Sequence, residues 1–102
     1  MAKLDRLIHQ PVRLRIMATL MALDDEARIG FTTLRDRLDL SDGNLSAHLR
    51  KLEDAKYVTI DKTFVARQPQ TFIQATSLGR ERFQTHTAAL KAILAQSQIG
   101  DG

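Results

Sequence analysis

The 102 residues read as an α+β fold that is mostly α, on three observations. Val12, Ile16, Met17, Leu20, Met21 and Leu23 recur at helical spacing. Leu45, Leu49 and Leu52 repeat that spacing in a stretch entered through Ser41 and Asp42. From Tyr57 the period changes to two, with Val58, Ile60, Lys62 and Phe64 alternating with Thr59, Asp61 and Thr63. A chain of this length with 43% hydrophobic residues can build one core but not two, so residues 1–102 are expected to form a single domain. With 5% aromatic residues and no Trp, that core should be mostly Leu, Ile, Val, Met and Ala.

The elements follow in order. Leu4, Leu7 and Ile8 form a short apolar set suited to a preceding helical arm, and Pro11 fits the first turn of the helix that carries Val12 to Leu23. Asp24, Asp25 and Glu26 make a polar connection, and Ile29, Gly30 and Phe31 read as a brief extended piece. Thr32 or Thr33 is expected to cap the next helix, since a threonine oxygen can accept a free amide of the first turn. Leu34, Leu38 and Leu40 give that helix and its exit a buried edge. Ser41 and Asp42 then open a helix over 41–55, whose leucines anchor it while Asn44, Ala47, His48 and Lys51 face the other way and Ser46 and Arg50 flank them. Two strands follow, interrupted by Ala66 to Gln70, so residues 65–71 are expected to form a projecting loop. Ser77 is expected to cap a last helix carrying Leu78, Phe83, Leu90, Ile93 and Leu94, which fades into a Gly-Asp-Gly tail.

Composition excludes several functions. No segment has the apolar length of a membrane span and the first residues lack the apolar block of a secretory signal, so a cytoplasmic protein is expected. Without cysteine there is no disulfide, thiol switch or cysteine-ligated metal. The three histidines, at 9, 48 and 86, have no ligand spacing of a local metal site, although a dimer could bring His9 near His86. No Gly-rich phosphate loop or nucleophile motif appears, so no enzyme, cofactor or resident metal is expected. The formal charge of +3 is not gathered in a tail. Lys3, Arg6, Arg13 and Arg15 stand against Asp5 in residues 1–22, and a nucleic-acid surface would have to be assembled by the fold.

Helix, short strand, helix, turn, helix, hairpin, helix is the order of a winged helix-turn-helix. The run Ser41 to Phe64, SDGNLSAHLRKLEDAKYVTIDKTF, with the hairpin and the Thr-Ser-Leu-Gly-Arg stretch from Thr76, resembles the small single-domain winged-helix regulators related to the MarR and ArsR groups. The resemblance covers nearly the whole chain. It implies a transcriptional regulator that binds duplex DNA as a homodimer, with helix 41–55 in the major groove and wing 65–71 on the backbone or minor groove.

Within that reading, Asn44 is the first candidate for base readout, because its amide both donates and accepts as adenine requires. Gly43 would let the backbone approach closely. Ser41, Ser46 and His48 could hydrogen-bond phosphates or bases, with Ala47 on the same exposed face, and Arg50 and Lys51 could neutralise phosphates. Lys51 could equally pair with Asp54. Lys62, Arg67, Gln68 and Gln70 would carry the wing contacts. Relatives tend to have Gly and Arg there, whereas this wing has Arg67 as its one formal charge, so a shallow salt dependence is expected.

The last helix is apolar on more than one face, through Phe83, Leu90, Ile93, Leu94 and Ala88, Ala89, Ala92 and Ala95. Residues 1–10 and 77–97 are therefore expected to dimerise, with Leu4, Leu7 and Ile8 against that helix. A small-molecule effector, if one acts, is expected at this apolar junction. The competing function is a winged-helix protein-interaction module that has lost DNA affinity, the reading that the charge-poor wing favours.

Overall fold

In the computed structural model, residues 4–100 are described, with side chains from 4 to 96. The order is α1 (Arg6–His9), α2 (Pro11–Met21), β1 (Ile29–Gly30), α3 (Phe31–Leu38), α4 (Asp42–Asp54), β2 (Val58–Val65), β3 (Gln68–Ala75) and α5 (Ser77–Gly100). The fold is a mostly helical α+β winged helix. The three strands are antiparallel in the order β1-β3-β2. Asp61 and Asp101 apart, the acidic residues lie on helices and connections; Asp101 and Gly102, the end of the expected tail, fall outside the described residues.

One core serves all elements. Ile8, Ile16, Met17 and Leu20 meet Leu34, Leu38, Leu45, Leu49 and Leu52 from the helices, Ile29, Val58, Ile73 and Ala75 from the strands, and Tyr57 from the connection between α4 and β2. The aliphatic composition expected from the sequence is what fills it, with Tyr57 as the aromatic member.

The helix starts use side-chain oxygens where a free amide needs an acceptor. Asp5 Oδ1 accepts from the backbone N–H of Leu7 and Ile8 at 2.9 and 3.2 Å, and Gln10 Oε1 accepts from Arg13 N at 2.9 Å. Ser41 Oγ accepts from Asn44 N at 3.1 Å, as its position predicts. Two caps differ from expectation. Helix α3 starts at Phe31 with Gly30 at its cap and no side-chain bond, so neither Thr32 nor Thr33 caps it. Gly30 is held extended by pairing with Phe72, and the helix turns directly out of that strand. Helix α5 is capped by Thr76, whose Oγ1 accepts from Gly79 N at 2.9 Å and donates to Lys56 O at 2.6 Å, so Ser77 is already inside the first turn.

Both α3 and α4 end in the same device. Asp39 and Lys56 take the left-handed conformation, at φ 56° and 65°. The next amides reach back: Leu40 N to Arg35 O at 3.1 Å, and Tyr57 N to Leu52 O at 2.9 Å. Arg15 adds a bond from its Nη2 to Leu38 O at 2.9 Å, so this basic residue closes a helix end.

The wing departs from its expected form. Residues 66–70 are not a loop, because β2 runs to Val65 and β3 begins at Gln68, leaving a two-residue turn of Ala66 and Arg67. Both have positive φ, 50° and 67°, the geometry a tight right-twisted hairpin demands and usually fills with Asn and Gly. Pro69 is accommodated because it pairs with Phe64, next to the closing pair of Val65 and Gln68. Its missing amide hydrogen would point away from β2, where β1 does not reach.

A polar network joins α1, α5 and the start of β2. Asp5 Oδ2 accepts from the Tyr57 hydroxyl at 2.6 Å, and Asp5 N donates to Nδ1 of His86 at 3.0 Å. His86 is fully buried, and with Nδ1 accepting, its proton sits on Nε2, 3.4 Å from His9 Nδ1. Burial first and the Asp5 bond second push the Tyr57 hydroxyl up to about 12. Burial, and then the His9 charge, lower His86 below the ordinary histidine value. A lowered value means that the unfolded chain binds protons which the fold refuses, so stability is full above pH 6.5 and falls as pH drops through 6.5 toward the folded value. Melting temperatures are expected to decline from about pH 7.5 to 5.5, and His86→Asn, whose Oδ1 takes the place of Nδ1 as acceptor for Asp5 N but does not titrate there, should flatten the profile. An equally steep decline in that variant would assign the effect to other groups.

Candidate nucleic-acid interface

The geometry of α4 relative to the rest is set by two polar contacts and by its buried leucines. Arg35 of α3 bonds Asp42 in the first turn of α4 at 2.6 Å and Asp36 at 2.9 Å; these two carboxylates raise its guanidinium further above its ordinary value. Arg13 of α2 donates from Nε to Leu7 O at 2.6 Å and from Nη1 to His48 Nδ1 at 3.2 Å. An arginine has only donors, so His48 Nδ1 is the acceptor and the neutral ring carries its proton on Nε2. Burial, then the Arg13 and Lys51 charges, lower the His48 value. Beneath these contacts, the three leucines seat α4 in the core. Neither Arg13 nor Arg35 stands out in the sequence as a partner of this helix, because their contacts span 35 and 7 residues.

The sequence-predicted residues divide into separate groups. Ser41, Gly43, Asn44, Ala47 and Lys51 are exposed on α4, while His48 is half-buried against Arg13. Ser46 and Arg50 turn toward the hairpin, lining with Lys62 and Thr71 a groove of about 610 Å³ between α4 and the wing. Gln68 and Gln70 lie on the other face of the ribbon, because they pair with Val65 and Thr63 while Lys62 pairs with Thr71 one step along. Arg67 is in the turn. Arg50, Lys51, Lys62 and Arg67 are exposed and make no side-chain hydrogen bond or ion pair among the described residues, so Lys51 is not tied to Asp54.

Gly43 stands in open space. A Cβ there would meet nothing within 4 Å, and its φ is not positive, so the fold itself does not require glycine.

A family model described as a winged helix DNA-binding domain matches residues 12–94. The chain belongs to that family. Among relatives of this winged helix protein, an uncharacterized protein of Methanocaldococcus jannaschii is 33% identical over 81 residues, 79% of this chain and 85% of that one. Among solved structures, a transcriptional regulator homologue protein from Pyrococcus horikoshii OT3 is 32% identical, with a TM-score of 0.82 over 90% of this chain and 88% of its own. NolR from Sinorhizobium fredii shares the fold at 22% identity, with a TM-score of 0.61 over 85% of this chain and 76% of its own. The family is one of DNA-binding domains, and the Pyrococcus horikoshii neighbour is described as a transcriptional regulator homologue.

One sequence expectation about the surface changes. Ile8, assigned to a subunit interface, is fully buried in its own core and has no surface left for a partner. Leu7 and Phe83 also pack on that core, while Leu4 and Leu90 are half-buried. Where the first and last helices meet within the chain lies the Asp5, His86 and His9 network. Among the described residues no group of three His, Asp or Glu could hold a metal ion, and no helix is long and apolar enough to cross a membrane.

Proposed function

We propose that this chain is a homodimeric transcriptional regulator that reads duplex DNA with α4 in the major groove and the hairpin on neighbouring backbone or minor groove. The observation that carries this reading is the unused polar face of α4. Asn44 lends only its backbone amide to the fold, through Ser41, and its side chain is exposed with no partner among the described residues. Its amide suits adenine, and Lys51 one and a half to two turns further on suits phosphate. Ser41 accepts in the cap but keeps its hydroxyl hydrogen to donate. His48 offers Nε2–H, and Arg50 and Lys62 place one cation on each wall of the groove beside the wing, with Glu53 one turn along from Arg50 on the α4 wall.

The dimer reading rests on α5. Its 24 residues extend about 36 Å, and after Leu90 the side chains from Lys91 to Gln96 are exposed. Ile93 is 44% exposed and Leu94 55%, beside the exposed Ala88, Ala92 and Ala95. Two copies joined there would present two α4 helices to half-sites about 34 Å apart.

The test is a titration of duplex DNA from the gene's own upstream region at two salt concentrations, against a scrambled duplex. Saturable binding that prefers the upstream sequence is expected; equal, weak binding to both would overturn the reading. Sedimentation should show a dimer that Leu94→Lys dissociates, whereas a monomer in the unmodified protein well above working concentration removes the dimer. Gly43→Ala separates fold from function: it is expected to raise stability by roughly 0.5–1 kcal/mol as a better helix former, yet to weaken binding by crowding the DNA backbone. Unchanged affinity in that variant would mean the backbone at Gly43 is not close to DNA.

A further inference from the structure

The wing tip combines an unusual exposure with a definite orientation. Phe64 is 73% exposed and Val65 49%, on a ribbon end where solvent-facing strands ordinarily carry charge. Phe64 pairs with Pro69, two residues beyond the Lys62 and Thr71 pair, so all four lie on one face of the ribbon. Lys62 and Thr71 line the groove opposite Ser46 and Arg50, which identifies that face as the one turned toward α4. Phe64 therefore continues the α4-facing surface outward by about 6.6 Å, two residues of strand. The two-residue turn at Ala66 and Arg67 leaves no loop in which the ring could be withdrawn.

We propose that Phe64, with Pro69 across the ribbon, is a DNA-contact residue that seats against the deoxyribose walls of the minor groove flanking the α4 site. This rests on the reading of α4 as the major-groove helix. Three features favour DNA over a protein surface or a second copy. The ring is continuous with the α4 face, and it is bracketed along the ribbon by Lys62 and Arg67, cations placed for the phosphates that border a minor groove. The reverse face is mixed, carrying Val65 beside Thr63, Gln68 and Gln70, so the larger apolar surface of the tip is the Phe64 and Pro69 side. Apolar side chains are used at minor grooves, where sugars rather than phosphates form the walls. Such a grip releases no counterions, so a wing poor in charge can still hold DNA, and hold it at high salt.

The test compares Phe64→Ala, Phe64→Trp and Arg67→Ala with the unmodified chain on the same duplex at two salt concentrations. Phe64→Ala should melt like the unmodified protein, since the ring is exposed, and bind about tenfold more weakly at both salts, with its log–log salt slope unchanged. Arg67→Ala should instead flatten that slope by about 0.9. The sequence contains no Trp, so Phe64→Trp installs a single reporter at the tip; it should keep affinity and change its emission as duplex saturates. If the unmodified chain binds duplex and Phe64→Ala binds equally well, the wing proposal falls and the α4 reading stands. Emission from Phe64→Trp that ignores saturating duplex also overturns it. Loss of self-association in Phe64→Ala, with DNA affinity intact, would assign the ring to a contact between copies. Failure of the unmodified chain to bind any duplex overturns both readings.

Discussion

Gly79→Ala is expected to cost about 3 kcal/mol or more of stability, lowering the melting temperature by roughly 12–24 °C in a domain of this size. A Cβ at Gly79 would lie 2.1 Å from the carbonyl oxygen of Tyr57 and 2.9 Å from its carbonyl carbon. The obstacle is backbone and cannot swing aside as a side chain would. Tyr57 is also held on every side: its carbonyl accepts from Thr76 N at 3.0 Å, its amide donates to Leu52 O at 2.9 Å, and its hydroxyl donates to Asp5. Relief would have to come from moving the start of α5 away from the end of α4. Alanine is the better helix former by about 1 kcal/mol, so the substitution would stabilise an unobstructed helix. Gly43→Ala supplies that comparison within the same chain. A Gly79→Ala melt at or above that of the unmodified protein would show that the close approach is absent. The functional consequence follows from position, because the α5–Tyr57 contact sets where the last helix leaves the core relative to α4.

What the sequence made legible is what short-range physics decides. Leu45, Leu49 and Leu52 are buried as their spacing requires, Ser41 caps α4, and Val58 and Ile60 turn toward the core as a period of two predicts. The misreadings occur where a distant partner decides. Thr32 and Thr33 are good capping residues, but the pairing of Gly30 with Phe72 starts α3 before either can act. Ala66 and Arg67 carry none of the Asn-Gly signal of a tight turn, and strands zipped up to Val65 and Gln68 hold them at positive φ regardless. The basic residues of the first helices look available for DNA, yet Arg13 and Arg15 bond Leu7, His48 and Leu38 within the fold. His9 was expected near His86 only across a dimer, whereas the fold brings His9 and Asp5 to a buried His86 within one chain. Arg28 behaves similarly, lying 4.0 Å over the Phe72 ring while pairing with Asp61. Of the candidate site, the α4 face was legible because one helix determines it; the division of wing residues between two faces needed the register.

Asn44→Ala is expected to lower affinity for the specific duplex by about 10–100-fold while leaving the melting temperature and the salt slope unchanged, the signature of lost base readout. The stability half follows from structure, since the Asn44 side chain is exposed and the cap uses its backbone N–H, which alanine retains. The binding half follows from chemistry: truncation leaves adenine's paired donor and acceptor facing no partner, while the phosphate contacts that dominate nonspecific affinity are untouched. Preference for the upstream duplex over the scrambled one should therefore shrink as the specific affinity falls. Lys51→Ala should behave in the opposite way. Lys51 is exposed on the same helix without an acid partner among the described residues, so its loss should weaken binding to both duplexes alike and reduce the log–log salt slope by about 0.9. The two variants lie on one helix with no shared contact in the fold, so each effect can be read without the other. If Asn44→Ala weakened both duplexes equally and moved the slope, Asn44 would be a backbone contact and the base-reading part of α4 would have to be sought at Ala47 or His48.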